Sequence, residues 1–302
     1  MNEFTPIFLF GVGRSGTTLL QTIINAHPKM GMLPENHFLL NFYLPTIGKN
    51  PTPFDRDKAL KDEEFCRIPE RLRKPLKDQN FESATKFYYE LLKEFAAENK
   101  LELAGDKDPE HINYLPHIFK EFPKAKFIHI VRDPRDVILS RKKSDWGKKY
   151  PILWHIVEYY HQFSKAEEFG KNNSQFFQIK YEDLLINPKL SLEKLCGFLN
   201  VPFDEAMLNH HQKENNLFSS KEDTWKQNVK KPILKDNFNK WKKNISNKTL
   251  KLNEYLLWDL SVFKIYDKNF KTKPSINIID KAILSFYLWY IKRKDNKKYK
   301  LY

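Results

Sequence analysis

The chain begins with a short apolar block that is followed by a polar loop and then by apolar positions at helical spacing. Residues 6–10 are apolar and aromatic, and residues 11–18 are rich in glycine, serine and threonine. The apolar positions that follow are Leu19, Leu20, Ile23 and Ile24. This order predicts a buried strand, a glycine-rich loop and an amphipathic helix.

The same alternation continues along most of the chain. Further short apolar blocks predict strands at residues 101–104, 126–131 and 176–180, and helical spacing predicts helices at residues 81–99, 112–122 and 276–291. Buried strands that alternate with amphipathic helices are typical of a parallel sheet whose ligands gather at the carboxyl ends of the strands. We therefore predict an α/β fold, with three α/β/α layers and a central parallel sheet of about five strands.

Two segments lack such a pattern. Met30 to Leu33 is apolar but very short, and we interpret it as a turn. Residues 45–80 are rich in proline, lysine and aspartate without a clear period, which predicts a loop or a lid near the site.

Charge and composition narrow the classes of partner. Lys and Arg exceed Asp and Glu by 52 to 38, a net charge of +14, which favours nucleic acid, an acidic membrane or a polyanionic small molecule. The two cysteines have no metal-ligand or disulfide spacing. The first apolar run follows no basic segment, and no run reaches the roughly 20 apolar residues of a membrane span. These features predict a soluble body and a cytosolic start.

The loop at residues 11–18 carries the first chemical signal. Gly11, Gly16, Thr17 and Thr18 have the spacing of a P-loop, in which backbone amides cradle phosphate oxygens, but Thr17 takes the position of the usual lysine. A kinase or ATPase needs that lysine and a magnesium ion, whereas a 5′-phosphate and a sulfuryl group can be held by hydroxyls, amides and Arg14. A simple Gly/Ser/Thr turn without a ligand is the alternative.

The segment Arg14-Ser-Gly-Thr-Thr-Leu resembles the 5′-phosphosulfate loop of the PAPS-dependent sulfotransferase family, especially its tyrosylprotein, carbohydrate and bacterial branches. Arg132, followed eight residues later by Ser140, resembles that family's 3′-phosphate motif, and the segments at 181–184, 229–232 and 240–241 resemble its later ones. The resemblance implies a P-loop-like fold, the donor 3′-phosphoadenosine 5′-phosphosulfate (PAPS), the product adenosine 3′,5′-bisphosphate and no metal.

The resemblance also implies a set of donor-binding residues. They are Arg14, Ser15, Gly16, Thr17, Thr18, Arg132, Ser140, Tyr181, Lys230, Lys231 and Lys240. The alternatives are a strand-end salt bridge from Arg132 to Asp133 or Asp136, and a solvated lysine surface for the other three cations.

The acceptor hydroxyl must lose a proton, so a general base is expected close to it. Glu35 is our candidate, because in the tyrosylprotein branch a glutamate at the same distance from the loop arginine is the proposed base. The chain departs from that branch at Pro34, which replaces an acidic residue, and His37 is the second candidate base. We expect Arg14 and Lys107 to assist catalysis. Glu35 as a surface carboxylate, and Lys107 paired with Asp106 or Asp108, remain alternatives.

The end of the chain combines an apolar helix with a basic tail. We divide the chain into a sulfotransferase domain, residues 1–273, and a C-terminal segment, residues 274–302, which either docks on the domain or contacts the inner membrane surface as a peripheral anchor.

The sequence thus predicts transfer of a sulfuryl group from PAPS to an acceptor hydroxyl of a glycan, a lipid or another molecule. A nucleotide or small-molecule kinase with a degenerate P-loop is the alternative. Nucleic-acid binding is not expected, because the sequence has no helix-turn-helix, RRM or zinc-finger pattern.

Overall fold

Five parallel strands form one sheet in the order β2–β3–β1–β4–β5. The structure is a computed structural model that describes residues 4–47, 54–213, 229, 231–266 and 272–299. The strands are β1 (Ile7–Phe10), β2 (Met30–Met32), β3 (Leu103–Lys107), β4 (Lys126–Val131) and β5 (Phe176–Lys180). The predicted α/β fold with a parallel sheet of about five strands is confirmed.

Helices connect the strands and cover both faces of the sheet. Before β4 they are α1 (Thr17–Ala26), α2 (Arg56–Lys61), α3 (Glu70–Arg73), α4 (Ala84–Glu98) and α5 (Leu115–Glu121). After β4 the described helices are α6 (Pro134–Lys143), α7 (Ile152–Gly170), α8 (Tyr181–Ile186), α9 (Pro188–Leu199), α10 (Trp241–Asn244), α11 (Asn247–Leu257), α12 (Ser261–Tyr266) and α13 (Ile278–Tyr299).

Strand β1 shows why the chain folds into three layers. Side chains of a strand alternate between its two faces. Phe8 and Phe10 enter the core formed with α4, α5 and α7, whereas Ile7 and Leu9 enter the core formed with α1, α8 and α9. All four are fully buried, so β1 reads as a continuous apolar block, as expected for a parallel strand that is covered on both faces.

The interpretation of Met30 to Leu33 as a turn is wrong. Met30–Met32 is the edge strand β2, which pairs in parallel with Leu103 to Gly105 of β3. At Gly31 an added Cβ would lie 2.6 Å from Leu101, so a glycine lets the strand lie close to its neighbours. A three-residue strand is too short to give a detectable alternation of polar and apolar residues.

The prediction of an irregular loop at residues 45–80 is wrong for the described part, but its predicted position near the site is confirmed, since Arg67 donates to the Glu35 carbonyl and Glu64 lies 3.9 Å from His37. That part folds into short helical turns that bury Phe65, Ile68, Leu72 and Leu76 completely or almost completely. They pack in the same core as Phe87 of α4. Each turn contributes only one or two apolar side chains, which explains why no helical period is visible in the sequence.

Helix α13 is longer than the sequence predicted. It continues through the basic residues that follow Ile291 and ends at Tyr299. Its last turns are fixed by polar contacts, since Asp295 accepts hydrogen bonds from His161 and Lys165 of α7. Leu284 and Ile291 of α13 pack in a core with Trp154 and Val157 of α7. None of the described helices has the length and apolarity that crossing a membrane requires.

Candidate active site

A cleft of about 540 Å³ lies at the carboxyl ends of the strands, a size that suits a nucleotide-sized ligand. The loop that follows β1, residues 11–16, forms its floor. The ends of β2 and β3 contribute acidic residues on one side, and the ends of β4 and β5 contribute Arg132 and Tyr181 on the other.

The loop leads directly into α1 through a glycine in the left-handed conformation. Gly16 has φ 103°, and an added Cβ would lie 2.5 Å from the Tyr181 ring. Helix α1 has no side-chain cap at this residue and no acidic residue in its first turn. The positive end of the helix dipole therefore faces the cleft without a neutralising group of its own, a site suited to an anion.

Two guanidinium groups lie beside this loop. The Arg14 Nε donates a hydrogen bond to Ser140 Oγ at 3.1 Å, and Arg132 donates to the Arg14 carbonyl at 3.2 Å. Burial and the charge of Arg132 both lower the pKa of Arg14. Arg14 also has φ 80°, a left-handed conformation that is uncommon for a non-glycine residue and that occurs often at functional sites.

The Arg132 side chain is fixed by its neighbours, but no carboxylate lies close enough to neutralise its positive charge fully. Its guanidinium stacks on the Tyr181 ring at 4.5 Å and donates to the Asn237 carbonyl at 3.1 Å. The nearest carboxylate oxygen, of Asp136, is 3.9 Å away, and Asp133 binds Arg135 instead. The Nε of Arg132 is buried and has no hydrogen-bond partner. Such an orphaned donor is costly unless a ligand accepts from it.

Carboxylates and their cations occupy the opposite side of the cleft. Glu35 accepts a hydrogen bond from Lys107 Nζ, and Lys107 is almost completely buried at the end of β3. Alternation along β3 directs Lys107 to one face, and Asp106 and Asp108 to the other. This explains why Lys107 pairs with Glu35 rather than with either aspartate.

His37 lies between these carboxylates. Its Nδ1 is 2.7 Å from Asp108, and its Nε2 is 3.7 Å from Glu35 and 3.9 Å from Glu64. Burial lowers the pKa of His37, but the three carboxylates more than offset this effect and raise the pKa to about 10. His37 is therefore protonated at neutral pH and is poorly suited to accept a proton.

The same three residues are also a candidate cation site. Glu35, His37 and Asp108 each offer one ligand atom, and these atoms lie within 4.8 Å of one another. A metal would have to displace the proton that the carboxylates stabilise on His37. The sequence led us to expect that no metal is bound, and this expectation stays a prediction.

Aromatic and polar side chains from α7 and its neighbours line the rest of the cleft. Trp146, Tyr150 and Trp154 form an aromatic wall, and Lys294 of α13 lies 5.4 Å above the Trp154 ring. Gln162 is largely buried, and its Oε1 has no hydrogen-bond partner. This part of the cleft offers an apolar surface together with an unsatisfied acceptor.

Most of the predicted site residues line the cleft. These are Arg14, Gly16, Thr17, Thr18, Glu35, Arg132, Ser140 and Tyr181. Ser15 is a buried loop residue that does not line the cleft, and Lys107 reaches the site only through Glu35. Lys231 and Lys240 are exposed and do not line the cleft, whereas Lys230 lies outside the described residues.

Sequence reasoning missed the aromatic wall and the polar face of α7. Trp154, Glu158 and Gln162 recur every four residues, so they lie on one face of the helix and all line the cleft. That four-residue spacing is the sequence signal from which this face of the helix could have been predicted. The sequence contains no such signal for Lys294, because this residue lies within a run of basic residues that resembles a solvated tail.

A glycine-rich loop between the first strand and helix of a parallel sheet, flanked by two guanidinium groups, defines an α/β protein of the phosphate-loop class. The model of the Sulfotransferase family matches residues 6–205, two thirds of the chain. The chain belongs to this family. The alternative of a kinase is no longer favoured.

Individual proteins agree with the family. A protein-tyrosine sulfotransferase of Drosophila melanogaster is 28% identical over 253 residues, which cover 79% of this chain and 47% of that protein. Protein-tyrosine sulfotransferase 1 of Danio rerio is 29% identical over 251 residues, which cover 78% of this chain and 65% of that protein. The chain thus spans less than two thirds of the length of either relative.

A solved structure supports the fold. The sulfotransferase domain of a Synechococcus olefin synthase has a TM-score of 0.61 and 24% identity, covering 86% of this chain and 98% of that domain.

Proposed function

We propose that the protein is a sulfotransferase that moves the sulfuryl group of PAPS to an acceptor hydroxyl. The observation that carries this proposal is the pair of guanidinium groups, Arg14 and Arg132, at the uncapped positive end of α1. Burial lowers the pKa of Arg14, and repulsion from the adjacent Arg132 lowers it further. A polyanionic donor removes the repulsion and satisfies the orphaned Nε of Arg132.

The residues present fit such a donor. The loop amides of residues 14–18 and the hydroxyls of Thr17 and Thr18 would hold the phosphosulfate end. Arg132 and Ser140 would hold the 3′-phosphate, since a guanidinium fork matches phosphate geometry. Tyr181 would pack against the nucleotide, whereas donor contacts of Lys230, Lys231 and Lys240 stay predictions from the family resemblance. The donor supplies its own good leaving group, and adenosine 3′,5′-bisphosphate is the product.

The other half of the cleft supplies the acid–base chemistry. Glu35 accepts the proton of the acceptor hydroxyl as its oxygen attacks sulfur, and Lys107 keeps the Glu35 carboxylate in place. Arg14 and the amides of α1 meet the negative charge that grows on the leaving phosphate oxygen. The raised pKa of His37 supports Glu35 rather than His37 as the base.

A cytoplasmic location at the inner membrane surface is part of the proposal. Cys66 and Cys196 are both unpaired, which suits a reducing compartment. The net charge of +14 and the basic end of α13 would attract the protein to an anionic leaflet, so α13 is its peripheral contact.

Calorimetric titration with adenosine 3′,5′-bisphosphate in EDTA tests the donor site. The wild type should bind without metal, and Arg132→Ala should weaken binding by about 100-fold, because charge-assisted hydrogen bonds contribute about 1.5–3 kcal/mol each. Arg132→Lys should recover part of the affinity.

Arg71→Ala serves as the matched control, because Arg71 is exposed and pairs with Glu98 far along the chain from the loop. It should bind as the wild type does. No binding by the wild type would overturn the sulfotransferase proposal, and ATP binding that requires magnesium would support the kinase instead.

A further inference from the structure

The outer face of α13 is apolar and exposed to solvent. Ile278, Ile279, Phe286, Trp289 and Tyr290 are between 46% and 81% exposed, whereas Leu284 and Ile291 on the opposite side are buried against α7. Single exposed apolar residues are common, but five on one helix face form a patch of the kind that marks an interaction surface. We call this face the outer face of α13.

Aromatic side chains continue this surface to the cleft. Tyr290 lies 5.9 Å from the Trp154 ring, which in turn stacks on Tyr150 at 5.3 Å. Tyr150 and Trp146 are 41% and 45% exposed, and both line the cleft together with Trp154. The outer face of α13 and the aromatic wall of the cleft therefore form one continuous surface.

Basic side chains border this surface. Lys292, Arg293 and Lys294 follow the apolar residues on α13, and the Arg293 guanidinium lies 5.7 Å above the Trp289 ring. Lys148 and Lys149 lie beside Trp146 and Tyr150, although Lys148 also pairs with Asp145. Exposed Trp and Tyr beside Lys and Arg are typical of surfaces that lie at the headgroup level of an anionic bilayer.

The interior of this half of the cleft suits a polar group that arrives from such a surface. Gln162 presents an unsatisfied Oε1, which can accept a hydrogen bond from a hydroxyl or an amide. Glu35 lines the same cleft. An acceptor with an apolar stem and a hydroxyl-bearing head can contact the aromatic wall and the polar interior at the same time.

We propose that the outer face of α13 seats the protein on an anionic lipid bilayer, and that the acceptor is a hydroxyl-bearing amphiphile which enters the cleft from that bilayer. This inference rests on the proposed sulfotransferase function. A bond forms between the lipid oxygen and sulfur, the bond between sulfur and the 5′-phosphate oxygen breaks, and the hydroxyl proton passes to Glu35 and then to water.

Vesicle flotation tests the docking surface. The full chain should bind phosphatidylcholine vesicles that contain 40 mol% phosphatidylglycerol, and should bind pure phosphatidylcholine at least tenfold more weakly. Phe286→Ser with Trp289→Ser should lower binding to the anionic vesicles at least tenfold. The matched control is Ile186→Ser with Leu190→Ser, because these exposed apolar residues lie on α8 and α9, and it should bind as the wild type does.

Three results would overturn the docking surface. One is an equal affinity of the Phe286/Trp289 variant and the wild type for anionic vesicles. Another is the absence of wild-type binding to them. The third is a dimer, detected by light scattering, that this double substitution dissociates, since a second copy would then cover the face.

A transfer assay tests the acceptor. Radiolabelled PAPS is incubated with the enzyme and with vesicles made from the total lipid extract of the source cells, or with the aqueous extract of the same cells. Label should appear in the organic phase, and the Phe286/Trp289 variant should lower that rate by about the factor by which it weakens vesicle binding. Label confined to water-soluble or protein products, or no transfer to the lipid extract, would overturn the inference.

Binding of adenosine 3′,5′-bisphosphate distinguishes a failure of the lipid-acceptor inference from a failure of the proposed sulfotransferase function. Neither Phe286 nor Trp289 lines the cleft, so their variant should bind this nucleotide as the wild type does. Nucleotide binding without transfer to lipid contradicts only the lipid acceptor. If the wild type does not bind the nucleotide at all, the proposed function itself is contradicted.

Discussion

The two halves of the cleft differ in how their charges are matched. On the donor side, Arg14 and Arg132 lie close together, and the nearest carboxylate oxygen to Arg132 is 3.9 Å away. On the acceptor side, Glu35 is bonded to Lys107, and Asp108 is bonded to His37. The donor half holds excess positive charge, whereas the acceptor half is internally paired.

This difference agrees with the proposed roles of the two halves. An anion relieves an excess of positive charge, which fits the proposed polyanionic donor. A paired network adds little net field, so the acceptor half can receive a neutral hydroxyl beside its aromatic wall without a large desolvation cost. Substitutions on either side should therefore separate donor binding from transfer.

The largest effect is expected on the acceptor side. Glu35→Gln keeps the shape of the side chain but removes the proton acceptor, so the transfer rate should fall by about 10²–10⁴-fold while adenosine 3′,5′-bisphosphate binds as before. Glu64→Gln is the matched control, because Glu64 lies near His37 but does not line the cleft. Transfer of radiolabel from PAPS to a total cell extract measures the rate. Equal losses of rate and donor affinity would remove the distinction between the halves.

On the donor side, a smaller effect is expected from Gly16→Ala. The alanine would have to adopt φ 103°, and its Cβ would lie 2.5 Å from the Tyr181 ring. The variant should therefore lose about 1–3 kcal/mol of unfolding free energy. Donor affinity should fall about tenfold because the loop and Tyr181 shift apart.

Gly197→Ala is the control for this substitution. An added Cβ there meets nothing within 4 Å, and alanine in a helix stabilises by about 0.5–1 kcal/mol relative to glycine. Urea unfolding with and without adenosine 3′,5′-bisphosphate measures both variants. Similar behaviour of the two would contradict the close contact between the loop and Tyr181.

The same contrast separates what the sequence could predict from what it could not. The donor half consists of contiguous segments at strand ends, so its main residues were predicted from order and spacing. Those that line the cleft are Arg14, Gly16, Thr17, Thr18, Arg132, Ser140 and Tyr181, whereas Lys231 and Lys240 do not line it. The central strands were also found, because burial on both faces makes them uniformly apolar.

The acceptor half depends on contacts between residues far apart in the chain. Lys294 reaches the cleft only because α13 packs on α7 through Ile291 and Asp295. Residues 45–80 were misread for a similar reason, since each short turn buries few side chains and the burial comes from α4. Tertiary packing of this kind leaves no local period in a sequence.

The most gradual effect is the pH dependence of stability that His37 produces, because the charge of His37 completes the paired network of the acceptor half. Its pKa in the folded protein is raised to about 10 from the ordinary value of 6.5. The stabilisation that this shift provides is fully present below pH 6.5 and is lost as the pH rises through 10. Between these values the free energy of unfolding should fall by up to about 1.4 kcal/mol per pH unit.

His37→Asn should flatten this dependence. Asparagine is chosen because it tolerates the left-handed conformation at this residue, where φ is 47°. His211→Asn is the control, because the His211 ring stacks edge-on against another histidine rather than between carboxylates, and it should retain the wild-type slope. Urea unfolding at intervals between pH 6 and pH 10 gives the slopes. A wild-type slope that survives in His37→Asn would show that the acceptor half does not hold a protonated histidine, and His37 would return as a candidate base.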